Sequence, residues 1–159
     1  MKVAINTCFG GFGLSPLGYK RYAELIGKTA YFFSSRDSNG KLSLDKHRAI
    51  SVEEAADELM FTVFSVPNPN EILNRNKDWN EMSLDERKAS NELYSSIHFY
   101  AHDMERTDPN LIKVIEELGD KSFGKCSKLE IIEIPDGVDY QVEEYDGNEH
   151  IAEKHRTWR

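Results

Sequence analysis

Only two cysteines occur in the 159 residues, Cys8 and Cys126, and they stand far apart in sequence. Their spacing supplies neither a zinc-ligand pair nor a disulfide framework, and such sparse use suits a reducing compartment. Long apolar runs are missing too. Nothing approaches the roughly 20 residues that a membrane span needs, and Val3-Ala4-Ile5 is interrupted too soon by Asn6 to read as a signal peptide. The expectation is therefore a cytoplasmic protein with no membrane partner. Positive charge is also scarce: 20 Lys and Arg stand against 28 Asp and Glu, a formal net charge of −8. Direct DNA or RNA binding leans on clustered Lys and Arg and is not expected. A small anion is still allowed, because one Arg and a few backbone N–H groups can hold it.

What is present argues for a folded chain. Eight Phe, seven Tyr and two Trp accompany a 39% hydrophobic and 30% charged composition, and a chain of this length can bury a real core. Met1–Thr7 alternates like a strand, and Cys8-Phe9-Gly10-Gly11-Phe12-Gly13 breaks it. Ser15-Pro16 then starts a helix that Gly27 stops, and Lys28–Ser34 reads as a second strand, giving a βαβ-like opening. The glycine turn invites a phosphate-binding reading, but the known fingerprints fail: Tyr19-Lys20-Arg21 follow where a P-loop needs Lys-Ser/Thr, and Pro16 blocks the dinucleotide pattern. The plainer reading has the glycines turning the chain sharply while Phe9 and Phe12 pack inward.

Further along, Asn39-Gly40 suggests a hairpin tip. Ser51 with Glu54, and Ser83 with Glu86, open two helices with capping-box spacing. The first is expected to run to Met60, and Phe61–Val66 is open between helix and strand. Pro67–Asn80 looks like loop. His98 and His102 would share a face of a continuous helix, yet no third ligand is in sight. Asp108-Pro109 starts a helix whose apolar stripe is Leu111, Ile115 and Leu118, with Gly119 as its stop. From Lys128 on, three short strands are joined at Pro135-Asp136-Gly137 and Asp146-Gly147. The expected class is α+β: a small mixed sheet, a C-terminal three-stranded antiparallel meander and three or four helices. Residues 1–159 are read as a single domain, with 35–105 as a variable, mostly helical or loop insertion or partner-facing lobe.

If Asp146-Gly147 makes a two-residue turn, Tyr145 pairs with Asn148, Glu144 with Glu149, Glu143 with His150 and Val142 with Ile151. Glu144 opposite Glu149 is the odd pair on a face whose middle is apolar. Three explanations stay open: a wet hairpin tip, a bridge from Arg106 or Arg156, or a metal or acid/base role with Glu153 and His155. The alternative to the register itself is a short helix over Asn148–Arg156, with Glu149 and Glu153 one turn apart, which removes the pairing.

Three groups of residues form an ordered series: Met1–Thr7 with Phe9-Gly10-Gly11-Phe12; Arg106-Thr107-Asp108-Pro109 followed by Val114–Gly119; and Glu133–Gly137, Glu144-Tyr145-Asp146-Gly147 and Ala152–Trp158. The series resembles a family of small, uncharacterised proteins of tailed bacteriophages and prophages. It covers Met1–Ser34 and the chain from Arg106 on, with Ser35–Glu105 as the family's variable middle; His150 stands where the pattern typically has a bulky aromatic. The resemblance implies a phage accessory protein in the host cytosol, acting on host machinery or host defence.

The leading expectation is thus a non-enzymatic binding protein and possible homo-oligomer. It would capture a small anionic or nucleotide-like ligand, such as a host defence signal, or a host protein. Its candidate ligand-binding residues are Phe9, Gly10, Gly11, Phe12, Arg106, Tyr145, Lys154, Arg156 and Trp158, with no metal and no cofactor. The rival is a small carboxylate- or metal-dependent hydrolase using Glu144, Glu149, Glu153 and His155. A structural phage component is the third reading.

Overall fold

The computed structural model describes residues 1–36, 48–73 and 79–154. The class is α+β, with five α-helices and eight strands among the described residues, the strands paired antiparallel in three small sheets. The chain divides into two compact units: Met1–Leu25 with Ala101–Arg159, and the continuous stretch Ile26–Tyr100.

The first unit is built on β1 (Lys2–Asn6), whose Val3, Ala4, Ile5 and Asn6 are all buried. On one edge β1 pairs with β6 (Leu129–Glu133), Lys2 opposite Glu133 through Asn6 opposite Leu129. Odd-numbered residues bond across to β6, and Thr7 continues the ladder, its N–H reaching the Lys128 carbonyl at 2.8 Å. The even-numbered N–H groups face the other edge. There the Arg106 carbonyl takes the Ala4 N–H at 2.8 Å and the Glu149 carboxylate takes the Asn6 N–H at 2.8 Å. Buried backbone donors need such partners, so a side chain completes what a neighbouring strand would otherwise supply.

Helix α1 (Pro16–Leu25) starts as expected, Ser15 Oγ accepting the Gly18 N–H at 2.9 Å. Helix α5 (Pro109–Leu118) buries Leu111, Ile112, Val114 and Ile115, and it packs on α1, β1 and β6. Asp108 caps it through the Asn110 N–H at 2.8 Å and also accepts the Tyr22 hydroxyl at 2.6 Å. Burial first, and then this bond, hold the Tyr22 phenol well above its ordinary pKa. Asp108→Ala removes both contacts and is expected to cost about 2 kcal/mol, the upper end for a lost cap; urea unfolding of the variant checks it.

Two expectations of strand pairing change here. The opening is no βαβ unit, because β1 and β2 (Tyr31–Ser34) belong to different sheets and pair antiparallel with other strands. The last quarter does hold three strands, and β7 (Tyr140–Tyr145) and β8 (Asn148–Glu153) form the antiparallel pair. However, β6 finds its partner in β1, so the three-stranded meander is replaced by two separate pairings. Pro135-Asp136-Gly137 therefore leads out of a ladder that the chain start closes: the Ile134 N–H bonds the Met1 carbonyl at 3.0 Å, and the Met1 ammonium meets Asp136 at 2.7 Å.

The second unit carries a four-stranded antiparallel sheet in the order β3 (Arg48–Ile50), β2, β4 (Phe61–Phe64), β5 (His98–Phe99). Its core is Phe33, Phe64, Leu73 and Ile97, with Phe33 and Tyr94 both edge-on to Phe64. Both capping boxes form, Ser51 with Glu54 on α2 (Val52–Asp57) and Ser83 with Glu86 on α4 (Leu84–Ile97). Helix α2 ends before Met60, the ambiguous Phe61 run is a strand, and Pro69–Ile72 forms the short helix α3 inside what read as loop. Helix α4 stops at Ile97, so His98 lies in β5 and His102 in a 3-10 turn, and they share no helix face. The expected tip at Asn39-Gly40 falls outside the described residues.

Candidate functional site

In the first unit the Cys8–Gly13 turn and the Asp146-Gly147 hairpin tip come into direct contact. A Cβ placed on Gly147 would lie 2.6 Å from the Gly11 nitrogen and 3.1 Å from the Phe9 carbonyl carbon. The hairpin has the register that its turn requires, from Tyr145 opposite Asn148 to Tyr140 opposite Glu153. Positive φ at Asp146 (51°) and Gly147 (83°) gives the twist that two-residue hairpin loops favour.

Asn6 joins the two segments. Its side-chain NH2 donates to the Cys8 carbonyl at 2.7 Å and the Gly147 carbonyl at 2.6 Å, while its Oδ1 accepts the Lys128 N–H at 2.8 Å. Fully buried, this amide uses both donors and its acceptor, which is how a polar group survives in a core.

Below the turn lies a charge pair. Glu149, with 6% of its side chain exposed, receives the Asn6 N–H on Oε2 and Arg106 Nη2 on Oε1 at 2.8 Å. The Arg106 guanidinium stacks on buried Phe12, its Cζ 3.3 Å from the ring centre. Burial lowers the pKa of Arg106, and the Glu149 charge offsets that only in part. Arg106 Nη1 is buried with no hydrogen-bond partner among the described residues, on a guanidinium that lies over the π face of Phe12.

The facing carboxylates Glu144 and Glu149 thus part company. Glu149 turns inward to Arg106, and Glu144 Oε1 takes the Gly147 N–H of its own turn at 2.8 Å. Arg106 reaches one of them and does not bridge the pair. On the opposite sheet face Glu143 meets His150 at 3.2 Å and Asp139 meets Lys154 at 3.0 Å, the complementary pairs that the register implied.

No family model, curated protein or solved structure matches this chain. The site must be read from its own chemistry.

Of the nine candidate ligand contacts, the structure gathers Phe9, Gly10, Gly11, Phe12, Arg106 and Tyr145 around the turn and the hairpin tip. They differ in availability. Gly10 is pressed against Cys126, and Phe12 lies under Arg106. Phe9 does not pack inward as expected: it is 68% exposed, and Tyr145 is 79% exposed. Lys154 is engaged by Asp139, and Arg156 and Trp158 lie outside the described residues.

Of the hydrolase set, Glu144 and Glu149 are tied to different groups, Glu153 is exposed at the far end of β8, and His155 lies outside the described residues. Among the described residues no three His, Cys, Asp or Glu side chains are grouped to hold a metal. Nor is any described helix long and apolar enough to cross a membrane.

Sequence reasoning missed Asn6, Cys126 and Ser127. Asn6 had a signal, a polar residue closing an otherwise apolar strand directly before a glycine turn. The loop residues had none. In the second unit, a shallow, open patch lies along α4, lined by Trp79, Leu84, Arg87 and Asn91 among others, with Leu84 82% exposed.

Proposed function

We propose that this protein is a phage accessory protein, the setting its motif series resembles, and that it acts in the host cytosol by binding rather than by catalysis. The recognition surface is the rim where the glycine turn meets the hairpin tip. One observation carries the reading: Phe9 and Tyr145 stay open to solvent on segments locked from beneath by Asn6, Gly147 and the Arg106–Glu149 pair. Exposed aromatics on a rigid base lose little freedom on docking, which is what makes such residues effective anchors.

Of the cations proposed for an anionic ligand, Arg106 is engaged by Glu149 and Lys154 by Asp139, while Arg156 lies outside the described residues. A host protein therefore fits this rim better than a nucleotide-like signal. A self-association, if the chain forms one, has a separate candidate face along α4.

Affinity capture from a bacterial lysate tests the proposal, comparing the wild type with Phe9→Ala/Tyr145→Ala and with Leu84→Ala. Loss of a central anchor costs about 2 kcal/mol, roughly 30-fold in affinity. A partner retained by Leu84→Ala and lost with the double variant supports the rim; equal capture by all three overturns it. Calorimetry against cyclic and linear nucleotides separates the small-ligand version, which requires heat that the double variant abolishes.

A further inference from the structure

The chain's two cysteines, 118 residues apart, meet in the first unit. Cys8 Sγ donates to the Cys126 carbonyl oxygen at 3.2 Å. The neighbouring backbone is equally close, since a Cβ on Gly10 would fall 2.7 Å from Cys126 Cβ. The β1–β6 ladder brings the two segments together, ending with the Thr7 N–H on the Lys128 carbonyl. Both thiols are free, Cys126 exposed and Cys8 partly so. The carbonyl that Cys8 touches belongs to the same residue as the Cys126 sulfur, so the two thiols are carried on backbone segments in direct contact.

We propose that Cys8 and Cys126 are a reversible redox pair, a modification site at which a peroxide closes an intramolecular disulfide across the base of the glycine turn. The more exposed Cys126 sulfur attacks the peroxide. An S–O bond forms, the O–O bond breaks, hydroxide leaves, and the product is a sulfenic acid. Cys8 sulfur then attacks the sulfenic sulfur, forming S–S and expelling the second hydroxide. The two thiol protons convert both hydroxides to water, so two thiols lose two electrons and hydrogen peroxide becomes two waters. A dithiol reductant reverses the change by exchange.

Lys128 holds its ammonium on Glu130 at 2.8 Å, its pKa raised first by Glu130, then by Asp120 and last by Cys8. Losing the Cys8 S–H strands no acceptor in the Asn6 network, because Asn6 Oδ1 keeps the Lys128 N–H. In a reducing cytosol the pair rests as thiols and responds to oxidant. The pairing stands on this geometry whether or not Phe9, one residue along, is a recognition residue.

The test treats the full-length wild-type protein with hydrogen peroxide at low protein concentration, followed by non-reducing mass spectrometry. The expected product is a monomer lighter by two hydrogens, with one cross-linked peptide pair containing Cys8 and Cys126, and dithiothreitol restores the starting mass. Dimedone, which labels sulfenic acid, should mark Cys126 in Cys8→Ser about tenfold more than in the wild type, where intramolecular capture outruns the reagent. The serine keeps a hydroxyl donor for the Cys126 carbonyl. Sulfinic or sulfonic acids at the separate cysteines, disulfide-linked dimers as the main product, or equal dimedone labelling in both proteins would each overturn the proposal.

Discussion

Arg106→Ala is expected to lower the stability of the first unit by about 3 kcal/mol, because breaking a buried pair strands the remaining charge. The side chain of Glu149 is 6% exposed and that of Arg106 16%, so water cannot readily replace the lost partner. A residue partly open to solvent places the cost at the low end of the range for such pairs. The substitution also uncovers Phe12, which the guanidinium covers at 3.3 Å. A double-mutant cycle separates the two losses. Arg106→Met keeps a covering chain over Phe12, and Glu149→Gln keeps an oxygen for the Asn6 N–H. Together these two changes should recover more than half of what Arg106→Met alone loses, since well-packed neutral groups can replace a buried ion pair at little cost. Amide hydrogen exchange along β1 reads this unit directly. A coupling near zero in that cycle would mean the pair is a surface contact with no part in fastening β8 to β1.

The fate of that pair shows what the sequence could and could not convey. The two-residue Asp146-Gly147 turn dictates its own register, so Glu144 opposite Glu149 was legible without coordinates, and Arg106 was already among the residues able to reach it. Both capping boxes and the Asp108-Pro109 start were legible for the same reason: their partners lie within four residues. The pairing of β6 with β1 is different in kind. It joins residues more than 120 positions apart, and nothing local distinguishes it from the meander that Pro135-Asp136-Gly137 suggests. Phe9 and Phe12 could not be sorted into outside and inside, because an irregular turn has no period that assigns faces. Asn6 marked its own position but not its partners, one of which is the tip of a distant hairpin.

Gly10→Ala is expected to cost about 3 kcal/mol, the upper end for forcing extra volume into a packed site. Its new methyl would lie 1.5 Å from the Cys126 carbonyl oxygen and 2.4 Å from the carbonyl carbon. Those atoms are backbone, so no rotamer change relieves the clash. Nor can the Cys126 segment yield freely: Ser127 is held by its N–H on the Gly124 carbonyl at 3.1 Å and by its hydroxyl on the Gly11 carbonyl at 2.9 Å. The turn itself must lift, taking with it the Cys8 carbonyl that Asn6 binds. Gly124→Ala is the control, since its methyl meets nothing closer than 3.6 Å, and it should change stability by less than about 1 kcal/mol. Gly147→Ala attacks the same contact from the hairpin side, through a positive φ and a methyl 2.6 Å from the Gly11 nitrogen. If turn and hairpin tip are one packed unit, Gly10→Ala and Gly147→Ala together should cost clearly less than their sum, because the first has already separated the surfaces that the second would force apart. Strict additivity in urea unfolding would show instead that the two glycines serve independent turns, and the rigid base proposed for Phe9 and Tyr145 would be lost with it.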